Sequence, residues 1–140
     1  MNVLVDTPVW SLAFRKQPRT DADDRVIEEL SELIRELRVI MIGPVRQELL
    51  SGILVKDKIE QLRVKLREFD DEQLSTEHYE LAASFSNECR RHGIQGSHTD
   101  FLLCAVGVKN DVPIYTLDKD FNRYKNRIPI KLHSERKGAG

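Results

Sequence analysis

Cysteine is nearly absent: Cys89 and Cys104 are the only two in 140 residues. Both fall within expected helices at no metal-ligand spacing, and they read as reduced, buried thiols of a cytoplasmic protein. Long apolar runs are missing too. Nothing approaches the ~20 residues of a membrane span, and the first six residues are too short and too acidic a stretch for a signal peptide. No excess of one charge sign exists: the net charge is −1 and the pI near 6.4. The chain as a whole therefore does not advertise nucleic-acid binding. His78, His92, His98 and His133 stand at no metal-ligand spacing. No Ser–His or Cys–His pair at a recognisable spacing offers a nucleophile. Repeats, linkers and low-complexity segments are also lacking.

The apolar and charged fractions, 40% and 32%, are those of an ordinary globular protein. The length fits one domain with a single core, residues 1–134, followed by a disordered tail over 135–140. Residues 2–6 read as a short buried strand, and Thr7-Pro8 as a helix start with Thr7 at the N-cap. A polar break at 15–20 precedes an amphipathic helix over 21–37, with Val26, Ile27, Leu30, Leu33, Ile34 and Leu37 at helical spacing. A second strand is expected over 39–42, then helices from Gly43-Pro44 to about Leu54, over 56–69 and over 76–91. A densely apolar helix over 99–110 leads to a third strand over 113–117 and a short helix over 118–124. Residues 128–132 are a candidate edge strand, weakened by Pro129. Strands alternating with helices imply an α/β sandwich with a mostly parallel sheet flanked by helices.

Four carboxylates stand at the ends of four separate apolar stretches. Asp6 closes Val3-Leu4-Val5, Glu48 precedes Leu49-Leu50, Asp100 opens Phe101-Leu102-Leu103, and Asp118 follows Ile114-Tyr115-Thr116-Leu117. In parallel α/β sheets, function gathers beyond the carboxyl ends of the strands, which is where Asp6 and Asp118 fall. Helical geometry turns Glu48 and Asp100 toward the protein, with Gly52 and Gly107 leaving space for neighbouring elements. Acids gathered at a core edge are costly unless protonated or neutralised by a cation. Oxygen ligands of this kind suit Mg²⁺ or Mn²⁺, so the chain reads as a metal-dependent enzyme. Each acid alone also has an ordinary reading. Asp6 and Asp100 could serve helix N-termini, Glu48 could pair with Arg46, and Asp118 could form an Asx-turn. The set of four in converging positions is harder to explain that way.

These segments resemble, in order, the PIN-domain ribonucleases, and especially the VapC toxins of toxin–antitoxin pairs. The matching stretches are Val5-Asp6-Thr7-Pro8-Val9-Trp10, Glu48-Leu49-Leu50-Ser51-Gly52, Asp100-Phe101-Leu102-Leu103-Cys104-Ala105 and Tyr115-Thr116-Leu117-Asp118-Lys119-Asp120-Phe121. The likeness spans residues 3 to about 132. It implies a PIN-like three-layer sandwich and a Mg²⁺- or Mn²⁺-dependent endoribonuclease, usually dimeric and inhibited by a small cognate antitoxin. It also implies that Asp6, Glu48, Asp100 and Asp118 are the catalytic and metal-site acids, with Asp120 a possible addition. Ser97 and His98 occupy a place where some relatives carry a further acid. Metal-activated water would attack the phosphate in line, leaving a 5′-phosphate and a 3′-hydroxyl.

Several secondary expectations follow from the residues. Thr116 is placed to orient Asp118 through its hydroxyl, though a strand-forming threonine is an equal reading. Residues 109–140 hold eight bases against four acids. With Asp118 neutralised by a metal, the C-terminal quarter would offer a basic surface fitting a polyanionic substrate, a solvated charged face being an equal reading of any single base. Arg15, Lys16, Lys119 and Arg123 are candidate phosphate contacts, each also explicable as a solvated base. Trp10 and Phe14 read as core. The helices carrying Ile59, Leu62, Leu66 and Phe69, then Tyr79, Ala82 and Phe85, offer more apolar surface than a small sheet needs, as expected of a homodimer or antitoxin contact. Two rivals stand beside the nuclease reading. One is a PIN-like module that binds RNA or protein without catalysis. The other is a haloacid-dehalogenase-type phosphatase, which would need a second Asp where Pro8 stands.

Overall fold

Val3, Leu4 and Val5 are all fully buried. Since successive strand side chains point to opposite faces, this short run must be covered on both sides. The computed structural model describes residues 1–14 and 19–136, and it supplies that cover. Strand β1 (Val3–Val5) leads into α1 (Thr7–Phe14) and α2 (Asp21–Arg35), then β2 (Val39–Ile40). Helices α3 (Gly43–Ser51), α4 (Lys56–Leu66), α5 (Thr76–Arg91) and α6 (His98–Lys109) follow. The chain then forms β3 (Ile114–Tyr115) and α7 (Asp120–Lys125). The strands lie in the order β2-β1-β3, all parallel. Leu4 pairs with Ile40 on one side and Ile114 on the other. The fold is the α/β sandwich with a parallel sheet flanked by helices that the alternation implied.

The strands are shorter than their apolar runs suggest. Met41 continues β2 only as a single bridge to Asp71, and the 128–132 segment contributes only the bridge from Leu132 to Ile114. Parallel strands this short rely on burial rather than on ladder length. The helix ends also moved. Asp6, not Thr7, holds the capping place of α1, its Oδ1 accepting the Thr7 N–H at 2.7 Å. Helix α2 starts at a reciprocal capping box between Thr20 and Asp23. It ends before Leu37, which takes a left-handed φ of 57° and lies exposed. Leu37 therefore leaves the apolar face assigned to it. The Arg38 N–H reaches back to Leu33 O and the Leu37 N–H to Ile34 O, closing the helix as a Schellman motif.

Gly107 provides the close approach expected of it: a Cβ there would meet Ile114 side-chain carbons at 3.2 Å, where α6 packs on β3. Gly52 does not, since a Cβ there would meet nothing within 4 Å. Trp10 is core, its Nε1 donating to Val5 O and its ring edge-on to Phe69. The apolar residues reserved for a partner are largely consumed. Leu62, Leu66 and Phe85 are buried, while Tyr79 on α5 remains exposed, as do Leu54 and Val55 before α4 and Val64 on it. The expected tail begins too early. Glu135 accepts a hydrogen bond from Tyr115 at 3.1 Å, and Arg136 donates to Glu29 at 2.7 Å; residues 137–140 lie outside the described residues. Both cysteines are buried and free. Among the described residues, no helix is long and apolar enough to cross a membrane.

Candidate active site

The carboxyl end of β1 delivers Asp6 into a buried position with only 3% of its surface exposed. Its backbone N–H still belongs to the sheet, donating to Tyr115 O at 2.9 Å. Both side-chain oxygens are held, Oδ1 by the Thr7 N–H and Oδ2 by the Thr116 hydroxyl, each at 2.7 Å. Every one of these donors is neutral. Burial outweighs the two hydrogen bonds, and the charges of Asp100 and Glu48 add to it, so the Asp6 carboxyl is pushed up to about 6. That coupling is the direct sign that three of the four expected acids share one electrostatic field.

Thr116 is the hinge between the strand ends. Its hydroxyl donates to Asp6 and accepts from the Asp118 N–H at 3.0 Å. It thus orients Asp118 through its backbone N–H, as expected, and holds the Asp6 carboxylate as well. Asp118 Oδ1 accepts the Asp120 N–H at 2.9 Å, so its Asx-turn reading is also realised. Asp120 is exposed and lies 3.9 Å from Arg123.

Glu48 is exposed rather than turned toward the core, because the flank of α3 that carries it opens to solvent. Its Oε1 accepts from the Thr7 hydroxyl at 3.2 Å, which ties it to the residue after Asp6. It lines a shallow cleft with Pro44, Gln47, Ser51 and Thr99. Arg46, its suggested partner, instead pairs with Asp71 and caps the backbone oxygens of Leu66 and Phe69. Asp100 sits in the first turn of α6, where Ser97 Oγ accepts its N–H at 3.0 Å. One carboxylate oxygen, Oδ2, accepts from the Tyr124 hydroxyl at 2.9 Å. Sequence reasoning passed over Tyr124, whose link to Asp100 spans 24 residues and carries no local pattern.

Of the candidate phosphate contacts, Lys119 is exposed beside Asp118, and Arg123 is exposed on α7. Arg15 and Lys16 lie outside the described residues. His98 lines the neighbouring cleft between α5 and α6 with Tyr79 and Arg90. The donor chemistry of the four acids is all oxygen, as a hard divalent cation requires. Buried Asp6 forms no ion pair among the described residues. Among the described residues, however, no three His, Cys, Asp or Glu side chains converge closely enough to hold an ion as they stand. The acids share a field without meeting at one point.

This geometry sits on a recognisable framework, for the PIN domain family matches residues 3–127. The chain belongs to the PIN-domain family. Solved structures of the same fold agree over nearly the full length. A chain of the FitAcB crystal structure from Neisseria gonorrhoeae superposes with a TM-score of 0.75 at 22% identity, over 95% of this chain and 97% of that one. VapBC2 from Rickettsia felis, bound to a DNA fragment from their promoter, gives 0.73 at 19% identity, over 95% and 98%. VapBC-1 from nontypeable Haemophilus influenzae gives 0.71 at 12% identity, over 98% and 100%. None of the curated protein sequences matches this PIN domain.

Proposed function

We propose that this PIN domain is the endoribonuclease toxin of a toxin–antitoxin pair, acting in the cytoplasm and requiring Mg²⁺ or Mn²⁺. PIN domains are generally nucleases. The observation that carries the reading is Asp6: a carboxyl buried among neutral donors and raised further by Asp100 and Glu48. Such a group is kept at a cost, and perturbed carboxyls of this kind gather at functional sites. Asp6, Glu48, Asp100 and Asp118 would hold the cation. A bound divalent ion supplies a water of lowered pKa and polarises the scissile phosphate. Thr116 keeps Asp6 in place from β3, and Lys119 and Arg123 are the bases available to the RNA backbone. Hydrolysis would leave a 5′-phosphate and a 3′-hydroxyl.

The antitoxin follows from the company of the fold, since the VapBC and FitAB neighbours are toxin–antitoxin complexes. A basic side chain from such a partner, set against Asp6 or Glu48, would neutralise the same field that a cation does. The homodimer belongs to the same proposal, with exposed Tyr79 on α5 as its best remaining apolar anchor. A second reading, a PIN-like module that binds without cleaving, draws on the four acids not converging.

One experiment separates the two. Purified protein is titrated with Mn²⁺ or Mg²⁺ and assayed on total cellular RNA for discrete cleavage sites, beside Asp6→Asn. The nuclease reading expects metal-dependent cuts and a loss of at least about a hundredfold in Asp6→Asn, the scale seen when one well-placed electrostatic group is removed. It also expects the divalent ion to raise the wild-type melting temperature more than that of Asp6→Asn. Cleavage unchanged by the substitution would remove Asp6 from the site. Binding without cleavage at any metal concentration would favour the module.

A further inference from the structure

Three features of the molecule lie outside the four acids: the cleft between α5 and α6, the buried Glu29 cluster, and the Tyr124 hydroxyl. The third carries an inference about the site itself. Tyr124 is fully buried on α7, with its ring 4.9 Å from Phe101 and 5.1 Å from Phe121. Phe101 follows Asp100 directly on α6. The ring therefore packs on one residue while its hydroxyl bonds the carboxylate of the preceding one, at 2.9 Å from Oδ2. The other oxygen, Oδ1, accepts no hydrogen bond among the described residues.

Gly96 opens the place where that hydroxyl lies. A Cβ at 96 would come within 2.8 Å of Tyr124 Cζ and 3.0 Å of Phe101 Cε2, and it would press on the hydroxyl itself. Any larger residue would force the ring to shift. Ser97, next in the chain, accepts the Asp100 N–H. The loop before α6 thus fixes the Asp100 backbone while leaving room for the phenol that fixes its side chain.

We propose that Tyr124 is a positioning residue of the cation site: it holds Asp100 by Oδ2 so that Oδ1 is presented to a divalent ion, and Gly96 is small to permit this. The inference rests on the metal-dependent reading of the four acids. Two consequences of the hydrogen bond oppose each other. A phenol donor draws electron density from the carboxylate and weakens it as a ligand, whereas a fixed rotamer spares the ion the entropy of ordering the side chain. Outer partners of metal ligands generally strengthen binding, and their loss costs about 10–100-fold in affinity. Ordering wins.

The test is Tyr124→Phe, which keeps the ring against Phe101 and Phe121 and removes only the hydroxyl. Free Mn²⁺ is followed by electron paramagnetic resonance in wild type, Tyr124→Phe and Asp6→Asn, with circular dichroism to verify folding. Tyr124→Phe should bind Mn²⁺ at least about tenfold more weakly than wild type. Its RNA cleavage should return toward the wild-type rate as Mn²⁺ is raised, which a purely structural role would not give. Gly96→Ala, displacing the same hydroxyl from the other side, should weaken Mn²⁺ binding in the same direction. Wild-type protein that binds no more Mn²⁺ than Asp6→Asn overturns the metal reading and this inference with it. Wild type that binds, beside a folded Tyr124→Phe that binds equally, overturns the inference alone.

Discussion

Asp6 and Glu29 are both buried carboxylates, yet the protein treats them in opposite ways. Glu29, on α2, is 4% exposed and accepts from His133 Nε2 at 2.8 Å and from Arg136 Nε at 2.7 Å. Those hydrogen bonds and the Arg136 charge overcome burial and hold its carboxyl below the usual range. Arg136 also reaches Glu36, so the last described residue is clamped to the end of α2. Asp6 is no more exposed, but among the described residues its carboxylate accepts only from a backbone N–H and a threonine hydroxyl, with acids beyond them. A buried charge matched by cations is architecture. The Asp6 charge meets no such match among the described residues.

The largest expected effect comes from making Glu29 resemble Asp6. His133→Ala combined with Arg136→Ala removes both of its basic partners. Stripping the partners from a buried charge costs about 3–5 kcal/mol, and the half-exposed Arg136 argues for the lower end. Urea unfolding of the double variant should show a loss of about 3 kcal/mol at neutral pH. A loss below about 1 kcal/mol, the worth of one exposed ion pair, would mean that Glu29 is not held by these partners. RNA cleavage by the folded fraction should be unchanged, because neither residue touches the acid cluster.

Second in size is the pH dependence that divides the two acids. The Asp6 carboxyl is raised from 3.8 to about 6 in the folded protein. The fold therefore binds this proton more tightly than the unfolded chain does, and stability is lost as pH rises from about 4 to about 6. Roughly two pK units correspond to about 3 kcal/mol. Glu29, with its folded pKa lowered, works the other way, adding stability above its unfolded pKa and losing it as the pH falls through the folded one. Chelator-treated wild type compared with Asp6→Asn isolates the Asp6 contribution. The variant should gain about 1–2 kcal/mol at pH 7, less than the full shift because one amide oxygen cannot replace two carboxylate acceptors. At pH 4 the gain should vanish. An equal difference at both pH values would place the cost of Asp6 in something other than its charge.

The legibility of the two acids in the sequence differed for a physical reason. Asp6, Glu48, Asp100 and Asp118 each stand at the end of an apolar run, and the strand and helix order that carries them is set by local periodicity. Helix α5 has the bounds that periodicity gave, and α6 lies within a residue of them at each end. Glu29 was hidden inside an acidic stretch that reads as a solvated face. Its position three residues after Val26 and four before Leu33 placed it on the apolar side of α2, and that was the available signal. Its partners lie 104 and 107 residues away, a distance at which pattern says nothing. The exposure of Glu48 was misjudged because helical angles locate a flank but not the depth of what covers it. Leu37 was misjudged because an apolar residue at the right spacing can still fall just beyond the helix end.

The smallest effect sharpens the comparison at its neutral donors. Thr116→Val keeps the branched shape and removes the hydroxyl that donates to Asp6 and accepts from the Asp118 N–H. A hydrogen bond to a charged group is worth about 1.5–3 kcal/mol, against about 0.5–1.5 kcal/mol between neutral groups. Near pH 7 Asp6 is largely ionised and near pH 4 it is protonated, given its position at about 6. Thr116→Val should therefore destabilise metal-free protein more at pH 7 than at pH 4, by about 1 kcal/mol. It should also move the Asp6 titration higher, since a hydrogen bond that lowers the pKa has gone. Paired unfolding curves at the two pH values measure the first effect, and carboxyl-carbon NMR of Asp6 measures the second. Should the destabilisation be the same at both pH values and the titration stay fixed, Thr116 supports the Asp118 backbone alone. Asp6 would then rest on a single backbone N–H, which would make its contrast with Glu29 sharper still.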